Sequence, residues 1–390
     1  MSTGVSSPAR TPKTAESGDA LSWNFAALTT ERIAAIRPEW DDLASDLSEN
    51  NIFAFPQFVL SALPLIAEKE PQLLELRMGG ELTALLILRS DWGYGKLPVA
   101  FLRTAIHHEQ FLGTPLVRKG REDDFARGLL AWIDQAPMQF ALLNLAMITA
   151  DGDIAAALSR RCAAEGRGLL PANAFERAAI RPGEEGAEPQ LSASRRKSLR
   201  KARKNLDKLG EVLVERLEPS GDLESWLSAF LAMENTGWKR EEGSAILCCE
   251  NETQLYQTIT RDAFAKGNLN FSRLCVDGKP IAYTLDITAA PLGYCLKSAI
   301  DQDYRKYSPG VLMELETLEY YRGQSDCTLL DSCTAPDNTM LNELWPDRKA
   351  ICDLVIARKG AIYATIFKAV RMLKGLTPAD GAASGGGAQP

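Results

Sequence analysis

The order of predicted elements in the second half of the chain constrains its fold more than any other feature. A helical stretch, ETQLYQTITRDAFAKG, precedes three strand-like runs, LNFSRLCVDG, KPIAYTLDITA and LGYCLKSAI. A second helical stretch, GVLMELETLEYYRG, and one more strand, CTLLDSC, follow them. Helical and strand periodicities in this order predict a meander of three strands, then a helix and a further strand, in an α/β or α+β domain.

The first half of the chain also alternates between helical and strand-like stretches. ERIAAIRPEWDDLASDL and EDDFARGLLAWIDQA have helical periodicity, whereas FALLNLAMI is a strand and LLELRMGGELTALLILRSD a strand pair that turns at Gly79 and Gly80. A Pro/Gly/Glu-rich segment then separates this half from a basic helix over about 193–209, which Gly210 ends, and a helix over LESWLSAFLAMENTGW. We therefore predict a polar tail, an N-terminal domain, a linker, a C-terminal domain and a second polar tail, over 1–20, 21–180, 181–194, 195–374 and 375–390.

Composition excludes several classes of protein. The chain has 390 residues, 45% hydrophobic and 24% charged, which is typical of globular domains. Its eight cysteines contain no CxxC pair, so we predict reduced, mostly buried thiols and no metal site. The first 20 residues lack the apolar core of a signal peptide, and no apolar run approaches the roughly 20 residues of a membrane span. These features predict a cytoplasmic protein.

The stretch DQDYRKYSPGVLMELETLEYY, which begins at Asp301, places Pro309 and Gly310 at the mouth of a helix. Proline fits the first helical turn, and glycine leaves the neighbouring N–H groups uncovered, so the turn could hold an anion. An ordinary helix start, with Ser308 as N-cap, explains the same residues without a ligand. Both interpretations stay open on this stretch alone.

Four motifs together resemble one branch of a known family. They are SRRKSLRKARKNLDKLGEV, FLAMENTGWKREEGSAI, LKSAIDQDYRKYSPGVLMELE and LLDSCTAPDNTMLNELWPDRKAI. The chain is similar to the CelD-type, BioF-like acetyltransferase domain of the GNAT superfamily, which is related to the FemAB ligases. The resemblance implies two tandem GNAT-like units, each a mixed, mostly antiparallel sheet flanked by helices, with a degenerate first unit over 21–180.

The resemblance also implies where a cofactor would bind. In GNAT proteins the turn before the central helix binds the diphosphate of acyl-CoA through backbone N–H groups, and a helix N-terminus favours such an anion. The chain has one glycine in this turn, where the common GNAT pattern has more. The implied cofactor-binding residues are Arg305, Lys306, Tyr307, Ser308, Pro309, Gly310 and Val311.

Transfer of an acyl group to an amine calls for a base, because an alkylamine with a pKa near 10.4 is almost fully protonated at neutral pH. Glu234 lies in the motif AMENTGWK, and Asp331 and Asp301 lie at predicted strand ends. Each carboxylate has a plainer explanation, as a solvated helix charge for Glu234 and as turn formers for the two aspartates.

Other residues are candidates for acceptor or thiolate contacts. Tyr307 is the tyrosine placed to protonate a departing thiolate, whereas Tyr283, Tyr294 and Tyr304 are expected to pack in the core. Asn338 stands where relatives carry a histidine after Pro-Asp, so we expect it to bind at most. The candidates for acceptor binding are Trp238, Lys239, Lys297, Asp301, Ser332 and Asn338.

His107 and His108 are the two histidines of the chain. Neighbouring side chains of an extended segment point to opposite faces, so at most one would face a cleft between the two units. A histidine in that cleft is an alternative catalytic base, and an ordinary surface pair is the competing interpretation.

The basic run over 195–208 is positive on all sides of its predicted helix. A solvated helix, contact with anionic lipid or a phosphorylated acceptor, and contact with the 3′-phosphate of coenzyme A are all compatible with it. Nucleic acid is the weakest alternative, since the run lacks stacking aromatics and the net charge of the chain is −7.

The sequence thus predicts an acyl-CoA-dependent N-acyltransferase that is cytoplasmic or peripheral at the inner membrane. The resemblance implies a cell-envelope amine as acceptor, such as an amino sugar or a sphingoid-type aminolipid. The alternatives are a non-catalytic accessory protein of polysaccharide assembly and a FemAB-like aminoacyl transferase.

Overall fold

A computed structural model describes residues 20–182, 189, 191–323 and 326–373. Thirteen strands of these residues form one sheet. The strands are β1 Leu21–Ala27, β2 Gln72–Met78, β3 Glu81–Tyr94, β4 Leu97–Thr104, β5 Leu116–Val117, β6 Leu142–Thr149, β7 Leu169–Ile180, β8 Val212–Arg216, β9 Leu269–Val276, β10 Lys279–Ala289, β11 Leu292–Ile300, β12 Leu329–Asp331 and β13 Asp347–Ala357.

Eleven helices flank the sheet in the same described ranges. They are α1 Thr30–Ser45, α2 Pro56–Ile66, α3 Glu122–Gln135, α4 Asp153–Ala164, α5 Ala193–Leu206, α6 Leu223–Glu234, α7 Gly237–Glu241, α8 Glu250–Ala265, α9 Pro309–Arg322, α10 Thr339–Leu344 and α11 Ala361–Leu373.

The strand order of the sheet reads as two copies of one pattern. The order is β1-β2-β3-β4-β6-β13-β7-β12-β11-β10-β9-β8, with β5 attached to β3. In the first half β1 to β4 form an antiparallel meander and β6 joins β4 in parallel after a crossover that contains α3. In the second half β8 to β11 form the meander and β12 joins β11 in parallel after a crossover that contains α9. This repeat confirms two tandem GNAT-like units.

The two units exchange their last strands. Strand β7, which follows the first unit in sequence, pairs with β12 of the second unit. Strand β13, which follows the second unit, pairs with β6 of the first, and β7 and β13 pair with each other at the centre. One sheet therefore joins the two units in space. The tails 1–19 and 374–390 and most of the linker, 183–188 and 190, lie outside the described residues.

Side-chain burial explains why the elements dock where they do. The apolar faces of α3 and α4 cover the first unit, and Trp132 on α3 packs against Phe25 and Phe140 in this core. A second core, which includes Phe53, Phe230 and other side chains of both units, lies where the two halves meet. Among the described residues no helix is long and apolar enough to cross a bilayer. All eight cysteines are free, and six are buried.

A buried ionic cluster marks the place where the strands cross between units. Arg177 on β7 donates two hydrogen bonds of 2.6 Å to the carboxylate of Asp331 on β12. The ammonium of Lys349 on β13 lies 3.0 Å from the same carboxylate, and the Cys333 N–H also donates to it. All three charged side chains are at most 4% exposed. Burial acts to raise the pKa of Asp331, but the two cations outweigh it and lower the pKa to about 2.

Replacing Asp331 by alanine leaves two buried cations without their counter-charge, so we expect Asp331→Ala to lower the free energy of unfolding by about 3–5 kcal/mol. The control is Asp41→Ala, which breaks an exposed pair with Arg37 on one helix and should cost about 0.5 kcal/mol. Urea unfolding followed by circular dichroism measures both. Equal midpoints for the two variants would contradict the assigned role of Asp331.

The same carboxylate gives the fold a defined acid sensitivity. The pKa of Asp331 is depressed from 3.8 to about 2 in the folded state, so its stabilising contribution is complete above the unfolded-state value and disappears as the pH falls from about 4 toward 2.

Candidate active site

The start of α9 has the form of an anion site. A short 3₁₀ turn, Gln302–Tyr307, leads into Ser308, whose φ of 54° is left-handed. Ser308 makes no side-chain capping bond, contrary to the ordinary helix start considered from the sequence. The first backbone bond into the helix runs from the Leu312 N–H to the Ser308 carbonyl. The N–H groups of Gly310 and Val311 precede it and point out of the helix end, where the dipole favours an anion.

A cavity of about 300 Å³ opens beside this helix start. It extends from the turn, along the end of β11, to the corner where α6 meets α7. The lining residues that matter for the site are Glu234, Lys239, Ser298, Ile300, Arg305 and Gly310. A continuous groove therefore connects the helix start with Glu234, and Asp331 is not part of its wall.

The cavity lies along an edge of β11 that has no strand partner within the described residues. Strand β12 pairs in parallel with Leu292–Tyr294 alone, and β11 continues to Ile300 bonded to β10 on its other side. A bulge shifts the register of β10 and β11 at Leu285 and Asp286. The splayed edge leaves backbone groups of β11 able to bond an extended ligand.

Glu234 and Lys239 form a clamp at the far end of the cavity. The buried carboxylate of Glu234 accepts a bond of 3.0 Å from the Lys239 ammonium and one of 2.9 Å from the Ile246 N–H. The Lys239 ammonium also donates to the Ser298 carbonyl on the open edge of β11. The single helix predicted through Trp238 is wrong, because α6 ends at Glu234 and a separate helix, α7, begins at Gly237 with φ of 62°. That break brings Lys239 back onto Glu234, whose carboxylate is occupied by these bonds.

A second polar cluster joins the two units, and we call His107, His108, Glu109, Glu252, Tyr256 and Lys297 the inter-unit cluster. The Lys297 ammonium lies 2.8 Å from Glu109, to which the Tyr256 hydroxyl also donates. His108 Nε2 lies 2.8 Å from the Glu252 carboxylate. Because the histidines and Glu109 follow β4 while the other three belong to the C-terminal half, the cluster exists only when the units are docked.

The two histidines differ in burial, yet both line one cavity, which the alternation of side chains did not predict. His107 is buried and stacks on Phe58, and burial is the main cause that lowers its pKa to about 4. The side chain of His108 is 63% exposed, with Glu252 as its carboxylate partner. Burial opposes ionisation of Glu109, yet Lys297 and the Tyr256 hydroxyl lower its pKa overall. His108 is therefore the histidine placed for proton exchange.

His108, Glu109 and Glu252 also place three possible ligand atoms within 4.8 Å of one another. A cation there would compete with the Lys297 ammonium for the Glu109 carboxylate. The arrangement is better suited to ion pairing and proton transfer than to a metal.

Several residues predicted at the site have structural roles. Asp301 caps the turn through the Asp303 N–H and pairs with Lys279 at 2.8 Å. Asn338 caps α10 by accepting the Leu341 N–H. Neither Asp301 nor Asn338 lines the cavity beside α9. Asp331 lies in the buried ionic cluster described above, and Ser332 is buried with its hydroxyl 3.0 Å from that of Thr334.

The remaining predicted residues divide between the turn and the core. The Lys306 ammonium lies 5.0 Å from the centre of the Tyr307 ring, and Pro309 and Val311 are buried beneath the turn. The Tyr283 and Tyr294 side chains are fully buried, whereas Tyr304 packs against Tyr307 at the turn. The side chain of Trp238 lies outside the described residues.

Sequence reasoning missed Glu109, Glu252 and Tyr256. Glu252 and Tyr256 lie four residues apart on α8 and so share one helix face, which is a weak signal for a common neighbour. Glu109 directly follows the histidine pair. Nothing in the sequence connects these two segments, which are about 140 residues apart and meet only through docking of the units.

The start of the crossover helix differs in the first unit. Its crossover helix α3 begins with Glu122, Asp123 and Asp124, and the Glu122 carboxylate accepts the Gly120 N–H. Three acidic side chains at this helix end would repel a diphosphate. Of the two crossover helices, α9 is the one suited to a phosphorylated ligand.

Comparisons with known proteins agree with this architecture. Residues 193–338 match a family model described as an acetyltransferase (GNAT) domain. A crystal structure of FemX is similar over 88% of this chain and 100% of its own, with a TM-score of 0.51 and 11% identity. A conserved protein of unknown function from Bacteroides thetaiotaomicron VPI-5482 is similar over 85% of this chain and 99% of its own, with the same TM-score and identity.

No curated protein matches the chain. At 11% identity the two structural similarities establish the fold alone, which extends over both units. The family match adds an assignment for the segment that contains the open start of α9 and its cavity. The chain therefore has a GNAT/FemAB-like fold, and its residues 193–338 match the model of a GNAT acetyltransferase domain.

Proposed function

We propose that the protein is an N-acyltransferase that moves an acyl group from a coenzyme A thioester to the amine of a cell-envelope precursor, an amino sugar or a sphingoid-type aminolipid. The observation that carries this proposal is the uncapped start of α9, which opens on a cavity along the free edge of β11. An anion site, an extended slot and a polar end occur there in the order that a diphosphate, a pantetheine arm and a thioester require.

In this proposal the diphosphate binds the N–H groups of Gly310 and Val311, and Arg305 adds positive charge at the cavity wall. The basic helix α5 packs against the turn Gln302–Tyr307, so its exposed cations would lie near the 3′-phosphate of the coenzyme. The pantetheine arm would follow the β11 edge toward Lys239 and displace its ammonium from the Ser298 carbonyl.

The chemistry then needs one proton acceptor. The ammonium group loses a proton, its nitrogen lone pair attacks the thioester carbon, and the tetrahedral intermediate loses a second proton from nitrogen as it collapses with cleavage of the C–S bond. We assign the first proton to His108, which is exposed and oriented by Glu252. The thiolate leaves and is protonated from solvent or by a nearby donor. Glu234 holds Lys239 in place and is assigned a positioning role.

Aminoacyl transfer from a charged tRNA is a second candidate. The observation in its favour is α5, whose surface is basic and adjoins the turn. A complex based on phosphate contacts should weaken steeply between low and moderate salt, and binding of tRNA that is insensitive to salt would count against this alternative.

Gly310→Asp tests the diphosphate site against its isosteric control, Gly310→Asn. Both add a Cβ that meets the Ile300 side chain at 3.3 Å, so their steric effects match. The aspartate adds a negative charge at the helix start, which stabilises the helix by about 0.3–1 kcal/mol but repels a diphosphate. We expect Asp to weaken coenzyme A binding about tenfold more than Asn, measured by calorimetry, with no loss of thermal stability. Equal affinities for the two variants would rule out this turn as the diphosphate site.

His108→Gln tests the assigned base. With acyl-CoAs of several chain lengths, a panel of amines and a thiol reagent, we expect kcat to fall about 100-fold while coenzyme A affinity is unchanged. Glu252→Gln should lower kcat less, because the imidazole loses only its orienting partner. Full turnover by His108→Gln would remove this residue from the mechanism. Absence of turnover by the unmodified protein with every amine would favour the non-catalytic accessory alternative.

A further inference from the structure

The first unit contains a cavity at the place that corresponds to the coenzyme cleft of the second. Strands β4 and β6 pair in parallel over Phe101–Arg103 and Leu142–Asn144 and then diverge, as β11 and β12 do. A cavity of about 600 Å³ lies beside this divergence. Since the acidic start of α3 cannot receive a diphosphate, coenzyme A does not explain the cavity.

Cations from three elements line this cavity. Lys69 follows α2, Arg89 lies on β3 and Arg103 on β4. Asp91 is shared by both arginines, at 2.9 Å from Arg89 and 3.8 Å from Arg103. The Nε of Arg103 is buried and has no hydrogen-bond partner within the described residues.

The one carboxylate that lines the cavity, Asp353, accepts hydrogen bonds through both of its oxygens. Asp353 accepts the Met147 N–H at 2.9 Å through one oxygen and the Asn173 amide at 2.8 Å through the other. Both donors are neutral, so Asp353 keeps its negative charge, and together with Asp91 it sets two carboxylates against the three cations. The wall retains an excess of positive charge in a protein whose net charge is −7.

His107 gives the second, independent indication of a ligand. The Glu109 N–H donates to His107 Nδ1 at 3.2 Å, so the neutral ring carries its proton on Nε2. Nε2 is buried, belongs to a side chain that lines the cavity, and has no acceptor within the described residues, although His107 is only 4% exposed. A buried donor without an acceptor is costly, and a ligand oxygen in the cavity would satisfy it.

The position of the cavity connects it with the proposed reaction. His108 lines the same cavity and is paired with Glu252 of the second unit. A ligand held by the arginines and by His107 would thus have its other end beside the proton acceptor assigned above.

We propose that this cavity binds a phosphate group of the acceptor, so that the substrate class is a phosphorylated amine whose amino group reaches His108. Arg89, Arg103 and Lys69 would bind the phosphate oxygens, and His107 Nε2 would donate to one of them. The identification of this ligand as the acceptor rests on the proposed function, whereas binding of phosphate does not. The phosphate comes either from a soluble phosphomonoester or from a lipid headgroup.

The test measures binding without acyl-CoA, so its outcome is separate from that of the turnover assay. The probes are inorganic phosphate, O-phosphoethanolamine, acetate, and vesicles of phosphatidylethanolamine in phosphatidylcholine. Binding to unmodified protein is compared with Arg103→Gln, His107→Phe and the control Arg160→Gln. The control removes an equal charge from Arg160 on α4, which forms an exposed pair with Asp123 on α3. Thermal midpoints establish that each variant is folded.

We expect the unmodified protein to bind O-phosphoethanolamine. Its affinity should fall about tenfold or more in Arg103→Gln and in His107→Phe and should not change in Arg160→Gln. Binding of vesicles with the same pattern would assign the phosphate to a lipid headgroup, and binding of the soluble probe alone would assign it to a soluble acceptor. Equal affinities of all four proteins for O-phosphoethanolamine would overturn the proposal. It would also be overturned if acetate bound as tightly as phosphate, or if free coenzyme A displaced the probe from a site that depends on Arg103. If the unmodified protein bound phosphate but turned over no acyl-CoA with any amine, the proposed function would be rejected and the phosphate site would be retained.

Discussion

The fold depends on one buried carboxylate. Asp331 binds Arg177 and Lys349 at the only place in the described sheet where β7, β12 and β13, strands from both units, meet around one charge. Removing three charges from water is costly, so the cluster is stable only with all its members in place. It therefore couples the exchange of the last strands to correct docking of the units. The inter-unit cluster, which contains Glu109 and Lys297, can form only after that docking.

Two units of one topology differ in what their crossover helices can bind. The start of α9 is uncapped and follows a basic turn, whereas the start of α3 carries three acidic residues. Both units nevertheless keep a divergence between parallel strands with a cavity beside it. In the proposed function this difference assigns the thioester to the second unit and the acceptor to the first, whose cavity His108 lines.

The sequence predicted much of the local structure and less of the site. The meander, α9 and the strand pair at Gly79 and Gly80 are where periodicity and turn residues placed them, because those signals are local. Strands β7 and β13 were not recognised, and their partners lie in the opposite unit. Asp301 and Asn338 have the residue types of a binding site, yet both cap neighbouring turns, an equally local use of a polar side chain. Glu234 does line the cavity, but with its oxygens bonded to Lys239 and Ile246.

By itself the sequence determined the order of helices and strands, the basic turn that enters α9 and the presence of two units, since each follows from residues close together in the chain. Only the tertiary structure decided which charges become buried partners and which stay available. Asp331 became a structural ion because strands from both units surround it, and His108 is exposed and paired with Glu252 because α8 brings that carboxylate to it. The protonation and pairing of these ionisable side chains depend on their burial and on their distance from remote segments, and local sequence predicts neither quantity.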